Sequence, residues 1–218
     1  MARLRTAVLI SGRGSNLQAL IDAARRPGFP AEIVRVVSNR PQAAGLERAK
    51  AAGIPVEVVD QRSHPESGSF ERALHEALRT AGVELVCLAG FMRILGPSFV
   101  ELWANRILNI HPSLLPAFPG LHTHERALAA GVRISGCTVH IVRSELDKGP
   151  ILVQAAVPVA ADDTPESLAA RVLKAEHLCY PLALSLMASG RARVIGEVVR
   201  IEGARAGEPL LINPAPEA

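Results

Sequence analysis

Thr6-Ala7-Val8-Leu9-Ile10-Ser11-Gly12-Arg13-Gly14-Ser15-Asn16-Leu17 reads as a short apolar strand, a glycine turn and the first turn of a helix. Thr6–Ile10 is nearly all apolar, as a strand covered on both faces requires. Leu17–Arg25 carries its apolar residues at helical spacing. Between them, Gly12 and Gly14 let the backbone approach an anion, with the unpaired N–H groups of the helix start aimed at it. Only these two glycines match the dinucleotide fingerprint, because Leu17 stands where its third glycine would be. The loop has no Lys, so it is not a Walker A motif either. A single phosphate over Gly12–Asn16 fits better than either. A tight turn with Ser15 or Asn16 as helix cap is the other reading the residues leave open.

The same alternation continues outward. Ile33–Val37, Ile54–Val59 and Leu85–Ala89 are strand-length apolar runs, and helices over Ala43–Ala52 and Phe70–Ala81 separate them. Gly53 and Gly82 end those helices, and the polar stretch Gln61–Ser69 is a surface loop. The fold class is therefore α/β, a doubly wound, mostly parallel, Rossmann-like twisted sheet. Gly90-Phe91-Met92-Arg93-Ile94-Leu95-Gly96 follows the fourth strand. It is apolar where connectors are usually polar, which suits core closure or, preferably, a pocket wall. A helix over Pro97–Trp103 has Pro at its first position.

The next strand, Arg106–Ile110, runs into Asn109-Ile110-His111-Pro112-Ser113-Leu114-Leu115-Pro116. Period-2 geometry puts Asn109 and His111 on one face, and the prolines turn the chain outward just after them. Carboxyl ends of strands are where open α/β sheets bind ligands. Further on, Glu125–Ala130 is a short helix, and Ile134–Val142 and Ile151–Val157 can form an antiparallel hairpin whose tip carries Asp147. Asn109, His111 and Asp147 then make an acid–base and oxyanion set. Asn and protonated His donate to a developing oxyanion, and an Asp beside the imidazole would raise its pKa and keep it charged. No G-x-S-x-G elbow is present, and the three cysteines lie in apolar runs that suit buried side chains in a reducing cytoplasm. Asp163-Thr164-Pro165-Glu166 opens a helix over Pro165–Ala188, with a possible bend at Pro181. On that helix Glu176 would ordinarily be a solvated residue. Val194–Ile201 is a last strand-like segment, and the tail from Gly203 should fray. One domain over 1–202 is expected, with a soft subdivision near 99 and a tail over 203–218.

Composition narrows the function classes. Aromatics make up only 3% of the 218 residues, too few for the stacking platforms of single-stranded nucleic-acid binders. The net charge of +3 is spread along the chain, so no nucleic-acid partner is indicated, and small anions are attracted equally well. No apolar run reaches membrane-spanning length, so no membrane partner is indicated either.

Asn109–Pro116 followed by Phe118-Pro119-Gly120 resembles the signature of the folate-dependent formyltransferases. Ile10–Leu17, Leu88–Leu95 and Leu146–Ile151 are similar to the branch of that family that formylates glycinamide ribonucleotide in purine biosynthesis. The resemblance implies formyl-tetrahydrofolate as cosubstrate, no metal, a cytoplasmic location, small-molecule substrates only, and a monomer or weak homodimer. It implies that His111, Asn109 and Asp147 are catalytic and that Gly14, Ser15, Asn16 and Glu176 bind the nucleotide. Met92, Arg93, Ile94, Leu95, Asn109, His140, Arg143 and Asp147 would bind the folate. Arg143-Ser144 lacks an acid expected beside that loop. Around Ser67, where relatives carry an Arg for the folate glutamate tail, only Arg62 is near. Rival readings are a formyltransferase acting on methionyl-tRNA, which typically adds a C-terminal domain, a deformylase, which typically adds an N-terminal one, a non-catalytic ligand-binding domain, and a metal hydrolase using His111, His122, His124 and Asp147.

Overall fold

The structure, a computed structural model, describes residues 2–66, 68–204, 211 and 213. In chain order the elements are β1 (Leu4–Ile10), α1 (Ser15–Ala24), β2 (Ala31–Ser38), α2 (Gly45–Ala51), β3 (Val56–Val58), a 3-10 turn (Gln61–Ser63), α3 (Ser69–Thr80), β4 (Leu85–Leu88), α4 (Pro97–Leu102) and β5 (Ile107–His111). There follow α5 (Thr123–Ala129), β6 (Ile134–Ile141), β7 (Ile151–Pro158), α6 (Pro165–Ala188), β8 (Ala192–Ile195) and β9 (Val198–Ile201). Seven strands form one sheet in the order β3-β2-β1-β4-β5-β6-β7. β1 pairs parallel with β2 and β4, β4 with β5, and β2 with β3, while β6 and β7 are antiparallel. The doubly wound sheet and its antiparallel hairpin are thus as the sequence implies.

The chain divides into two compact units, the first running to Asn109 with Ile141–Ser144 added, the second comprising Ile110–His140 and the residues from Glu145 on. In the first unit, β1 is the central strand. Ala7, Val8, Leu9 and Ile10 are all fully buried, on alternating faces. Ala7 and Leu9 pack with Phe70, Leu74 and Leu78 of α3 and with Phe99 and Val100 of α4. Ile10, on the other face, lies under Gly45 at the start of α2.

Three local expectations change. Neither Ser15 nor Asn16 caps α1. Gly14 is the cap residue, left-handed at φ +73, and supplies no side-chain cap bond. Both residues already lie inside the helix, one and two positions past its cap. The single strand read over Val194–Ile201 is two strands, β8 and β9, paired antiparallel around Gly196 at φ +61. Val and Ile recur in both arms, so the reversal shows only in the glycine. Gln61–Ser63 is a 3-10 turn inside the expected loop. Ser67 and the fraying expected at 205–210, 212 and 214–218 lie outside the described residues.

In the second unit, α6 begins as its sequence requires. Thr164 and Ser167 cap each other reciprocally, and Pro165 occupies the first turn. Just before it, the Asp163 carboxylate accepts two bonds from the Arg171 guanidinium (2.6 and 2.9 Å), one from Ser167 Oγ (2.6 Å) and one from the Ala160 N–H (2.7 Å). Arg171 first, then Ser167, holds this acid far below the ordinary carboxylate range. A depressed folded pKa adds stability above the unfolded pKa of about 3.9, and that stability is lost as pH falls below it. Asp163→Asn should cost about 1.5–3 kcal/mol at pH 7 by urea unfolding, a deficit that shrinks on acidification below pH 4.

Candidate active site

In the first unit, two loops leave the carboxyl ends of neighbouring strands. From β1 the chain winds outward to β2 and β3, then crosses back to β4 on the other side of β1. That reversal is the switch point at which doubly wound sheets open a crevice. The glycine loop, 11–14, leaves β1 and enters α1. Its shape is set from behind by α2: the Gly45 N–H donates to Gly12 O (3.0 Å), and Arg48 Nε donates to Arg13 O (3.0 Å). A Cβ on Gly14 would meet Gly45 Cα at 2.7 Å, so a side chain there collides with backbone. The loop after β4 is partly core closure and partly exposed. Phe91 packs against the core and Leu95 is buried, while Met92 and Ile94 are 60% and 75% exposed. Arg93 Cζ stands over the Phe70 ring, 4.1 Å from its centroid. Asn109 sits opposite Leu88 in the β4–β5 register, half-buried. Arg143 follows β6 and is also half-buried. Arg62 is held by Asp60 in an exposed ion pair at 3.0 Å.

The second unit brings together His111, Asp147 and His140, all nearly enclosed. Asp147 Oδ2 lies 3.5 Å from His111 Nδ1 and accepts the Gly120 N–H at 2.8 Å. Its Oδ1 lies 3.7 Å from His140 Nε2. His111 Nε2 is 2.9 Å from Phe118 O. A carbonyl only accepts, so this nitrogen carries a proton. Asp147 takes the left-handed conformation, φ +55, which Asp tolerates better than most residues. His124 is nearby. Burial pushes its imidazole below the ordinary range against the pull of Glu125, and His111 adds to the depression. His122 is exposed and faces Glu125. Among the described residues, no group of three or more His, Cys, Asp or Glu side chains is arranged to hold a metal ion.

Glu176 is not on a solvated face: it is 7% exposed on α6. Its charge bears on Cys137 and Cys179, and the Cys137 thiol is pushed far up, first by the bond with Cys179 and then by burial. All three cysteines are buried and unbridged.

The proline-rich segment after His111 is held by residues the sequence reading passed over. Thr138 Oγ1, fully buried in β6, donates to Ser113 O (2.7 Å) and accepts from the Leu115 N–H (3.0 Å) and Gln154 Nε2 (2.9 Å). Gln154 Nε2 also donates to Leu115 O (3.0 Å). One hydroxyl thus uses its donor and both acceptor sites. Gly136, two residues earlier, leaves room for that segment: a Cβ there would meet Leu114 Cδ2 at 2.9 Å and Ala155 O at 1.9 Å. The available signal was a polar residue at an inward position of a strand.

A family model for formyl transferase matches residues 4–184. The chain belongs to the formyl transferase family. This formyl transferase is 46% identical over 198 residues to the phosphoribosylglycinamide formyltransferase of Escherichia coli strain K12, covering 91% of this chain and 93% of that one. It is 51% identical over 199 residues to the trifunctional purine biosynthetic protein adenosine-3 of Bos taurus, covering 91% of this chain. It spans only 20% of that relative's length. The crystal structure of glycinamide ribonucleotide transformylase 1 from Symbiobacterium toebii superposes with a TM-score of 0.89 at 49% identity, over 92% of this chain and 94% of that one.

Thr138→Val keeps the side-chain shape but strands Ser113 O, the Leu115 N–H and Gln154. The expected cost is about 1–3 kcal/mol in urea unfolding, with a fall in turnover as the His111 segment loosens.

Proposed function

We propose that this formyl transferase moves the formyl group of formyl-tetrahydrofolate to the amine of glycinamide ribonucleotide, in purine biosynthesis. One observation carries the reading: His111, proton on Nε2 and carboxylate beside Nδ1, follows Asn109 by two residues on one strand, in a chain resembling glycinamide ribonucleotide formyltransferases over nearly its whole length. The cosubstrate supplies an activated formyl carbon. Attack by the amine builds negative charge on the formyl oxygen, and the Asn109 amide and His111 Nε2–H are the donors for it, the Nε2–H exchanging Phe118 O for the formyl oxygen. Both ring nitrogens of His111 face acceptor oxygens, which hold the ring in one orientation. Asp147 fixes the ring, and as the tetrahedral adduct collapses and its bond to the folate nitrogen breaks, His111 passes the proton that the amine loses to that leaving nitrogen.

Gly14, Ser15 and Asn16 receive the nucleotide phosphate on the N–H groups of α1, and Glu176 contacts the same substrate. Exposed Met92 and Ile94 suit a flat apolar ligand, so they, with Arg93, Leu95, Arg143 and His140, hold the folate. Asn109 and Asp147 border that cosubstrate as well. No helix among the described residues is long and apolar enough to cross a membrane. The reading carries a cytoplasmic enzyme that acts on small molecules only, as a monomer or weak homodimer.

A formyl-transfer assay with glycinamide ribonucleotide as acceptor, and methionyl-tRNA for comparison, tests this. Turnover with the first is expected, and none with it overturns the reading. His111→Ala and Asn109→Ala should each lower kcat by roughly a hundredfold or more, with modest change in nucleotide KM. Asp147→Asn, which keeps the shape and tolerates the backbone, should lower kcat without unfolding the chain. Gly14→Val should raise the nucleotide KM, and unchanged affinity would move the phosphate site elsewhere.

A further inference from the structure

A polar chain of consistent direction runs beneath the two loops of the first unit. Gln61 Oε1 accepts from Asn39 Nδ2 (3.0 Å), Asn39 Oδ1 accepts from Ser11 Oγ (2.6 Å), and Ser11 Oγ accepts from the Met92 N–H (2.7 Å). Ser11 is 4% exposed and Asn39 1%. Ser11 is the first residue of the glycine loop, and Met92 opens the exposed part of the loop after β4. The backbone repeats the link: the Ser11 N–H donates to Gly90 O at 3.1 Å. Each hydroxyl has a single proton. With that proton given to Asn39, the oxygen is left to take the Met92 N–H, so the three side chains define one orientation of the second loop relative to the first.

We propose that Ser11 is a positioning residue that fixes the cosubstrate loop against the phosphate loop, with Asn39 and Gln61 orienting its hydroxyl. The proposal rests on the assignment of the two loops given above. Ser11 acts through the two loops it joins. Removing its hydroxyl frees the Met92 N–H and lets Met92–Ile94 leave the orientation in which their side chains stand exposed. Folate binding then pays the cost of ordering that loop, whereas the phosphate N–H groups, held from behind by Gly45 and Arg48, stay in place.

The test is steady-state kinetics for both substrates, with thermal unfolding, on Ser11→Ala, Asn39→Ala, their double variant and Ile94→Asp. Ser11→Ala should raise KM for formyl-tetrahydrofolate about tenfold, with kcat and nucleotide KM changed less than about threefold. The double variant should be no worse than the more impaired single one, because both break the same chain. Ile94→Asp changes an exposed side chain of the same loop and leaves the polar chain intact, so it reports the loop assignment alone. If it raises folate KM and Ser11→Ala does not, the positioning role is overturned and the loop assignment stands. If neither raises it, both fall. Equal rises in both KM values with a lower melting temperature for Ser11→Ala would mark a merely structural residue and also overturn the proposal.

Discussion

The burial of β1 on both faces is the constraint on which the first unit depends. A strand with no solvent-facing side must be paired on both edges and covered on both sides. β2 and β4 take the edges, and α3 and α4 cover the Ala7 and Leu9 face. Because the chain reaches those two edges by winding in opposite directions, the loops that leave β1 and β4 emerge side by side. The glycine loop and the apolar loop are neighbours for that reason alone, whatever they bind.

The second unit adds polar satisfaction to apolar burial. Asp147 gathers a backbone N–H and two imidazoles, and Thr138 gathers two backbone groups and an amide. A buried group left without its partner would be costly, and the Thr138 hydroxyl uses its donor and both acceptor sites. A network of this kind defines one arrangement of the segment after His111, whereas apolar contacts alone would allow several.

The sheet was legible because its strands are apolar runs and its helices end at glycines such as Gly53 and Gly82. His111, Asn109 and Asp147 were legible as residue types that do chemistry at places where chains turn. What escaped depends on which face of an element packs. On α6, Leu178 is 76% exposed while Glu176 is buried, the reverse of what hydropathy suggests. A helix with apolar residues on several faces gives no periodic signal for its inward side. Thr138 and Gln154 escaped because their partners are 16 to 39 residues away, and no local pattern encodes such a meeting. The β8–β9 reversal escaped because both of its arms are rich in Val and Ile, with only Gly196-Glu197 between them.

The close approach of Gly14 to Gly45 has a consequence for changes in chain length. Connections between strands and helices ordinarily accept insertions and deletions, since nothing downstream is held to them. The 39–44 connection is different. Its far end is the first residue of α2, which is bonded to Gly12 and fitted against Gly14 with no room for a methyl group. One residue more or less there would rotate or slide α2 and carry the glycine loop with it. In this chain a surface connection thus has a fixed length for the sake of a loop about thirty residues earlier.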